Sequence, residues 1–277
     1  MRLSLRAFTL VVATAVPALA QGSRQQQPQQ TENAFSWNDR VPAGRWIRVR
    51  NLNGSVTVGP ASGDKVEVSA VKRWRRGDPA VVHFETKKFG PSDENVLICA
   101  LWGERSECDE DGYRTRGGRE RDDDRGMRSN DVSVEFRVLV PKGVKVGIHT
   151  INGDVTVDGA TADIEAGTIN GEVDVANAQS RVSATNVNGG VRARLTRLDS
   201  DGRMDFTTVN GSVTVELPND GGADVDLQTV MGMINTNFEM TLTGRFDPKR
   251  IRTHIGRPGG PRLKLETVNG SVELRRR

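Results

Sequence analysis

A short pattern recurs along the sequence: Thr or Asn, an apolar residue, Asn-Gly, any residue, and a branched apolar residue. Its copies occupy 51–58, 150–157, 168–175, 186–193, 208–215 and 267–274, and a degraded copy occupies 229–236. Between residues 150 and 236 the copies begin about 20 residues apart, which is typical of a solenoid. A repeat of this length buries its apolar residues only by stacking on its neighbours. The pattern therefore predicts an all-β protein built from stacked coils.

Alignment of the copies places apolar residues in three columns, which we expect the stacked coils to bury. The column before Asn-Gly holds Ile151, Ile169, Val187, Val209, Val230 and Val268. The first column after it holds Val155, Val173, Val191, Val213, Ile234 and Val272. The next holds Val157, Val175, Ala193, Val215, Thr236 and Leu274. Apolar residues that alternate with polar ones indicate strands with one buried face.

The Asn-Gly pairs admit two folds. They form two-residue hairpin turns well, so an antiparallel β-sandwich of hairpins is the alternative. In a short right-handed β-solenoid the Asn amides would instead hydrogen-bond along the stack, and Gly would supply the left-handed corner. The repeat period and the columns favour the solenoid. The predicted turn residues are Asn53, Gly54, Asn152, Gly153, Asn170, Gly171, Asn188, Gly189, Asn210, Gly211, Asn269 and Gly270.

Residues 60–145 break the period, and we predict an N-terminal antiparallel β region over 35–145. Longer alternating runs predict strands at 65–71, 80–86, 95–102 and 132–140. We expect these strands to form one antiparallel sheet that covers the N-terminal end of the solenoid at 146–277. The other end should lie near Leu274, where Arg275–Arg277 would provide a charged edge.

The N-terminus predicts export. Arg2 and Arg6 precede a short apolar run, and Ala18-Leu19-Ala20 forms a small-residue cleavage site, so residues 1–20 are typical of a signal peptide. The Gln-rich segment 21–34 cannot bury apolar surface and predicts a disordered linker. The expected location is the periplasm, the outer surface or the medium, with no transmembrane segment in the mature chain.

Cys99 and Cys108 are the two cysteines of the chain. An exported protein folds where disulfides persist, so we predict a bridge between them. Two cysteines and three histidines exclude a zinc module of the Cys/His-rich type.

Two charged inserts interrupt the strands. The insert at 103–130 mixes acids with arginines. Its acidic runs, 109–111 and 122–124, lack the spacing of a calcium loop, so we predict no metal. The insert at 245–264 is basic and could bind anions. Nucleic acid is not expected, because no aromatic residues lie between its charges and the net charge is only +3. The candidate anion-binding residues are Lys249, Arg250, Arg252, Arg257, Arg262 and Lys264.

No catalytic motif and no cofactor site is found in the sequence, so we predict that the protein is not an enzyme. One alternative is a polysaccharide-acting β-helix enzyme, because Asp154 and Glu172 would lie one coil apart as a carboxylate pair. Stacked coils bring such pairs together by geometry alone, at about 4.8 Å.

The segments 140–157 and 208–234 resemble the bacterial DUF4097 family, whose members are described as adhesins with β-repeats. The resemblance implies an extracytoplasmic β-repeat fold and supplies no catalytic residues. We therefore predict a non-enzymatic, adhesin-like binding or scaffold protein of the bacterial envelope, whose partner is a saccharide, a protein or another envelope component. A second alternative is an envelope-stress accessory protein that binds a membrane partner.

Overall fold

The computed structural model describes residues 29–30, 33–115, 130–198, 202–240 and 247–277. The predicted signal peptide and most of the Gln-rich segment lie outside the described residues, as do 116–129 of the first insert and 245–246 of the second. Among the residues described, no helix has the length and apolar character needed to span a membrane.

Each repeat contributes one strand to each of two sheets, and Asn-Gly lies at the corner between them. We call the sheet before the corner the front sheet and the one after it the back sheet, and we number the strands in chain order. The front coil strands are β3 (Trp46–Arg50), β11 (Lys145–His149), β13 (Ile164–Asn170), β15 (Val182–Asn188), β17 (Arg203–Asn210), β19 (Ala223–Met231) and β22 (Arg262–Asn269). The back coil strands are β4 (Val56–Pro60), β12 (Val155–Asp158), β14 (Val173–Ala178), β16 (Val191–Leu195), β18 (Val213–Leu217), β20 (Ile234–Thr236) and β23 (Val272–Arg276).

The predicted solenoid is confirmed by the strand pairing. Val155, Val173, Val191 and Val213 pair in one continuous parallel ladder through β12, β14, β16 and β18. In a hairpin, the two strands flanking each Asn-Gly would instead pair antiparallel with one another. The alternative of an antiparallel sandwich of hairpins is therefore wrong.

The antiparallel strands extend both sheets at the N-terminal end. They are β1 (Gln29–Gln30), β2 (Ala34–Asp39), β5 (Val66–Arg73) and β10 (Ser133–Val140) in the back sheet, and β6 (Val82–Phe89) and β7 (Asn95–Trp102) in the front sheet. A 3-10 turn (Pro79–Val81) precedes β6, and a hairpin of β8 (Ser106–Cys108) and β9 (Tyr113–Thr115) follows β7. The strands that we expected to form one antiparallel sheet are thus divided between two.

The order of the coils differs from the order of the chain. The 11-stranded back sheet runs β1-β2-β5-β10-β4-β12-β14-β16-β18-β23-β20, and the 10-stranded front sheet runs β21-β19-β22-β17-β15-β13-β11-β3-β7-β6, where β21 is Arg250–Ile255. The first copy, at 51–58, stacks directly on the copy at 150–157.

The last repeat is inserted between the coil at 203–217 and the degraded coil at 223–236. The expectation that the stack ends near Leu274 is therefore wrong. The insertion has a physical reason: Asn269 continues the row of corner asparagines from Asn210, whereas Met231 takes the Asn position in the degraded copy. Placing the degraded coil outermost keeps that row unbroken.

The core lies between the two sheets. The two columns after Asn-Gly point into it, and residues such as Val155, Val157 and Val213 are completely buried. The front sheet contributes Ile148, Ala166, Ala184, Phe206, Leu265 and Leu227 from successive coils. Because neighbouring coils share one register, each apolar residue is covered by its counterparts above and below.

Candidate functional site

The corner asparagines form a hydrogen-bonded ladder along the stack. The Nδ2 of Asn170 donates to Oδ1 of Asn152 at 2.7 Å, and Asn188, Asn210 and Asn269 continue the series at 2.9, 2.8 and 2.7 Å. Asn170, Asn188 and Asn210 thus each donate to one neighbouring coil and accept from the other. The asparagine side chains hydrogen-bond to one another, which gives them a structural role.

A second ladder lies just inside the corner. The Oγ1 of Thr168 donates to the carbonyl oxygen of Gly153 at 2.8 Å, and Thr208 and Thr267 make the same bond to Gly189 and Gly211. These threonines are buried. A buried hydroxyl is costly unless it is hydrogen-bonded, so the repeat places Thr where a corner carbonyl oxygen accepts from it.

The acidic pair considered for catalysis belongs to this corner. Oδ1 of Asp154 accepts the backbone N–H of Glu172 at 2.8 Å, and Oγ of Ser212 accepts the N–H of Ser271 in the same way at 3.2 Å. Asp154 and Glu172 are both exposed. The structure therefore gives Asp154 a capping role between coils.

The column before Asn-Gly is not buried, which corrects the sequence prediction. Its side chains form an exposed line along the corner, with Ile169 41%, Val187 37%, Val209 38% and Val268 38% exposed. Strand alternation explains this: Ile164, Ala166 and Thr168 point inward, so Ile169 must point outward. We call Ile151, Ile169, Val187, Val209, Val268 and Val230 the corner ridge.

A groove of about 390 Å³ runs beside the corner ridge on the outer face of the front sheet. Arg50, His149, Gly167 and Thr185 are register partners on β3, β11, β13 and β15, so they form one row across four strands. The ridge residues Ile151, Ile169 and Val187 line one side, and Gly112 and Tyr113 of the β8–β9 hairpin also line the groove.

Two groups in the groove have unused hydrogen-bonding atoms. Nε of Arg50 and Nδ1 of His149 are buried and have no hydrogen-bond partner among the described residues. Arg50 donates from Nη2 to the carbonyl oxygen of Glu110, and no described carboxylate forms an ion pair with it. Burial and the adjacent Arg48 lower the pKa of Arg50, and the carboxylates of Glu165 and Asp109 offset this only in part. Arg48 itself is paired with Glu165 at 2.9 Å.

The predicted disulfide between Cys99 and Cys108 is confirmed, and it holds the hairpin against the groove. Both cysteines are buried and pack with Leu97 and Leu101. The hydroxyl of Tyr113 donates to the carbonyl oxygen of Ala100 at 3.0 Å, and burial raises its pKa. The bridge and this hydrogen bond fix the position of the Tyr113 ring.

Comparison with known proteins now assigns the family. The chain matches the Toastrack DUF4097 family over residues 126–275, which is more than half of its length. The chain belongs to the Toastrack DUF4097 family. The resemblance seen in the segments 140–157 and 208–234 is thereby confirmed. No curated protein matches the chain.

Two solved structures are similar to this Toastrack chain. One, from Clostridium sporogenes ATCC 15579, is provisionally named a cell adhesion protein; it has 10% sequence identity and a TM-score of 0.52, and the match covers 91% of this chain and 100% of that one. The other, from Bacteroides fragilis NCTC 9343, is provisionally named an adhesin; it has 10% identity and a TM-score of 0.33, covering 89% and 98%. The first similarity supports the fold alone.

The basic segment 249–264 of this Toastrack protein is partly neutralised by neighbouring carboxylates. Arg250 and Arg252 both pair with Asp226, at 3.0 and 2.9 Å. Lys264 pairs with Glu266, and Nζ of Lys249 donates to the carbonyl oxygen of Gly232. Of the six candidates, these four already have partners, and Arg257 and Arg262 have no described ion pair. Anion binding at this basic segment stays a prediction.

The acidic run at 109–111 also has a structural use. Oδ1 of Asp109 accepts the N–H groups of Asp111 and Gly112, and its Oδ2 pairs with Arg114 at 3.0 Å. Across the described parts of the chain, no cluster of three or more acidic, His or Cys side chains could hold a metal ion. The other run, 122–124, lies outside the described residues.

We expect reduction of the disulfide to lower the free energy of unfolding by about 2–3 kcal/mol, because opening so short a loop releases chain entropy in the unfolded state. Urea unfolding with and without reductant measures this. Hydrogen exchange should rise at 106–115. The Cys99→Ala/Cys108→Ala variant serves as control, since reductant should leave it unchanged. Equal stability of the oxidised and reduced protein would contradict the prediction.

Because the His149 side chain is largely buried, we expect the folded protein to lose stability in acid. Burial, together with the charges of Arg50 and Arg48, lowers the pKa of His149 to about 4, whereas the unfolded imidazole titrates near 6.5. Above about pH 6.5 the contribution of His149 is fully present. As pH falls from about 6.5 to about 4, the unfolded chain binds a proton that the folded chain does not, so stability falls by an amount on the order of 3 kcal/mol.

Unfolding curves of the wild type and of His149→Gln between these pH values measure the contribution. The variant should lose this part of the pH dependence, whereas His83→Gln, at an exposed position, should keep it. His254 acts in the opposite direction, because its hydrogen bond to Asp224 raises its pKa, and it is unchanged in both variants. Parallel pH profiles for wild type and His149→Gln would contradict the prediction.

Proposed function

We propose that the protein is an exported, non-enzymatic, adhesin-like module that binds a component of the bacterial envelope through its corner ridge. The observation that carries this proposal is the exposure of one apolar side chain at the same corner in five successive coils, namely Ile169, Val187, Val209, Val268 and Val230. Stacked coils are about 4.8 Å apart, so the ridge from Ile151 to Val230 forms a continuous line about 24 Å long. Contiguous exposed apolar surface is typical of interaction sites.

The chemistry of the corner supports binding over catalysis. The polar groups beside the ridge, which are the Asn ladder and Asp154, already hydrogen-bond to neighbouring coils. A catalytic carboxylate pair needs one group to move protons and another to face the reacting bond. The capping role of Asp154 weighs against the enzyme alternative. The provisional name of the Clostridium sporogenes structure, a cell adhesion protein, is in keeping with the proposal.

The test compares matched valines. Val209 and Val268 lie on the ridge and are each 38% exposed, and Val71 has the same exposure on β5 of the back sheet. We expect Val209→Thr/Val268→Thr to weaken binding to isolated envelope fractions about tenfold, because two buried methyl groups are lost from the interface. Val71→Thr should bind like the wild type.

Sedimentation of the protein with purified peptidoglycan and outer-membrane fractions measures this binding. Retained binding by the double variant would refute the ridge as the binding surface. Absence of binding to every fraction would refute the proposed function itself. Circular dichroism confirms that all three proteins are folded equally.

A further inference from the structure

The groove beside the ridge brings an arginine, a histidine, a glycine and a threonine together in one row. Its row of register partners begins with a guanidinium at Arg50, passes the imidazole of His149 and the bare backbone of Gly167, and ends at the hydroxyl of Thr185. The row crosses three strand spacings, about 14 Å in all. This length and the 390 Å³ volume fit a short, extended ligand.

One end of the row is suited to a carboxylate. Arg50 has a buried, unpartnered Nε, and no carboxylate of the described residues pairs with it. Arg48, two residues earlier on β3, differs in having an ion pair with Glu165, although its Nε is likewise buried without a partner. A planar guanidinium with free donors binds carboxylates through charge-assisted hydrogen bonds. Arg50 is therefore the group in the groove that calls for a negative charge on the ligand.

The middle of the row is suited to hydroxyl groups. Nδ1 of His149 is buried without a partner, and the ring remains neutral at physiological pH because its pKa lies near 4. A neutral imidazole offers one donor and one acceptor, and the Thr185 hydroxyl offers both. Thr185 is exposed on the groove surface. Neutral donors and acceptors of this kind bind hydroxyl groups without demanding charge.

The sides of the groove are suited to the apolar face of a sugar ring. Gly167 lies between His149 and Thr185, and a Cβ there would lie 2.9 Å from both side chains. The absence of a side chain lets the His149 ring and the Thr185 hydroxyl approach each other over the buried Gly167, so both line the bottom of the groove. Ile169 lines the ridge side, and the fixed ring of Tyr113 supplies an aromatic surface.

We propose that this groove binds a saccharide bearing a carboxylate, with the carboxylate on Arg50 and ring hydroxyls on His149 and Thr185. The inference rests on the proposed binding function and names the ligand class for it. An acidic peptide also carries carboxylates, but a peptide's amide groups have no matching row of backbone donors here, because the groove lies on the face of the sheet and not at its edge.

Isothermal titration calorimetry with defined oligosaccharides tests the inference. The ligand is a hexasaccharide of alternating glucuronic acid and N-acetylglucosamine, and its control is the same hexasaccharide with each carboxyl reduced to an alcohol. We expect the reduced form to bind the wild type about tenfold to a hundredfold more weakly, because the charge-assisted hydrogen bonds are lost. Arg50→Gln should bind both forms equally and weakly.

Two further variants separate the roles. Arg192→Gln removes an exposed arginine from the back sheet and should bind like the wild type. Thr185→Val should weaken both hexasaccharides by the same several-fold factor, since it removes a contact to a ring hydroxyl and leaves Arg50 in place. Thermal unfolding of each variant establishes that it is folded.

Three outcomes would overturn the inference. Equal binding of the acidic and reduced hexasaccharides would show that the carboxylate is not recognised. Absence of binding by both would show that the groove does not bind this class of saccharide. Binding of a tetraglutamate peptide as tightly as the acidic hexasaccharide would show that the groove does not select a saccharide. The Val209 and Val268 sites lie outside the groove lining, so ridge-dependent envelope binding would survive any of these results.

Discussion

Replacing Gly189 with alanine should lower the free energy of unfolding by about 4 kcal/mol, or prevent folding altogether. Gly189 has a φ of +135°, a conformation that L side chains rarely adopt. A Cβ there would also overlap the carbonyl oxygen of Gly171 on the neighbouring coil. That oxygen accepts a hydrogen bond from the buried Asn186 side chain, so it cannot move without breaking that hydrogen bond.

Urea unfolding followed by circular dichroism measures the effect. Gly63→Ala is the matched control, because a Cβ at Gly63 meets nothing within 4 Å and its backbone is not in the left-handed region. We expect that change to stay within about 0.5 kcal/mol. A Gly189→Ala protein as stable as Gly63→Ala would mean that the coils at this corner are not stacked as described.

Phe206→Ala should lower the free energy of unfolding by about 3–5 kcal/mol. Phe206 is completely buried in the front-sheet column, where its register neighbours are Ala184 on one side and Leu265 on the other. The ring fills space that the small Ala184 leaves. Its removal therefore opens a cavity in addition to losing apolar burial, and the regular stacking limits how far the coils can collapse around it.

Phe206→Leu provides the comparison, since it retains most of the volume and should lose clearly less stability than Phe206→Ala. Chemical unfolding of both variants gives the two free energies with their slopes. Losses below about 1 kcal/mol for Phe206→Ala would show that the ring is not part of a close-packed core.

The stacked fold was predictable from the sequence because one local pattern recurs with a near-constant period. Parallel stacking then follows, since equivalent residues meet only when each coil repeats the last. The disulfide was predictable as well, from the pairing of an export signal with two nearby cysteines. Both inferences depend on contacts that are either local or repeated.

We predicted that the corner ridge is buried, and this was wrong because each copy of the motif was compared only with the other copies. Alternation along β13, from Ile164 through Ala166 to Thr168, already indicates that Ile169 points outward. Thr168 reads as a polar surface residue, but the carbonyl oxygen of Gly153 on the next coil makes its burial favourable. The burial of Thr168 and the exposure of Ile169 can be explained only when the position of the Gly153 carbonyl oxygen is known.

The groove gave no sequence signal. Arg50, His149 and Thr185 come from three separate coils, and Tyr113 comes from an insert tied back by the disulfide. These residues are neighbours only because of the register of the strands, and that register cannot be read from their spacing in the sequence. The inserted last coil was hidden for a similar reason, because the longer interval before the copy at 267–274 indicates an insert but not where the chain returns.

The exchanged order of the last coils has a consequence for how the protein is made. A solenoid whose coils follow the chain can add each coil to the previous one as it is synthesised. Here the coil at 223–236 leaves the ribosome before the strands at 262–276 on which it packs. Its apolar side chains stay unpaired until residues 262–276 have been made, so this end of the stack can close only after translation of residue 276. This coil is therefore the part of the newborn chain most in need of protection from aggregation.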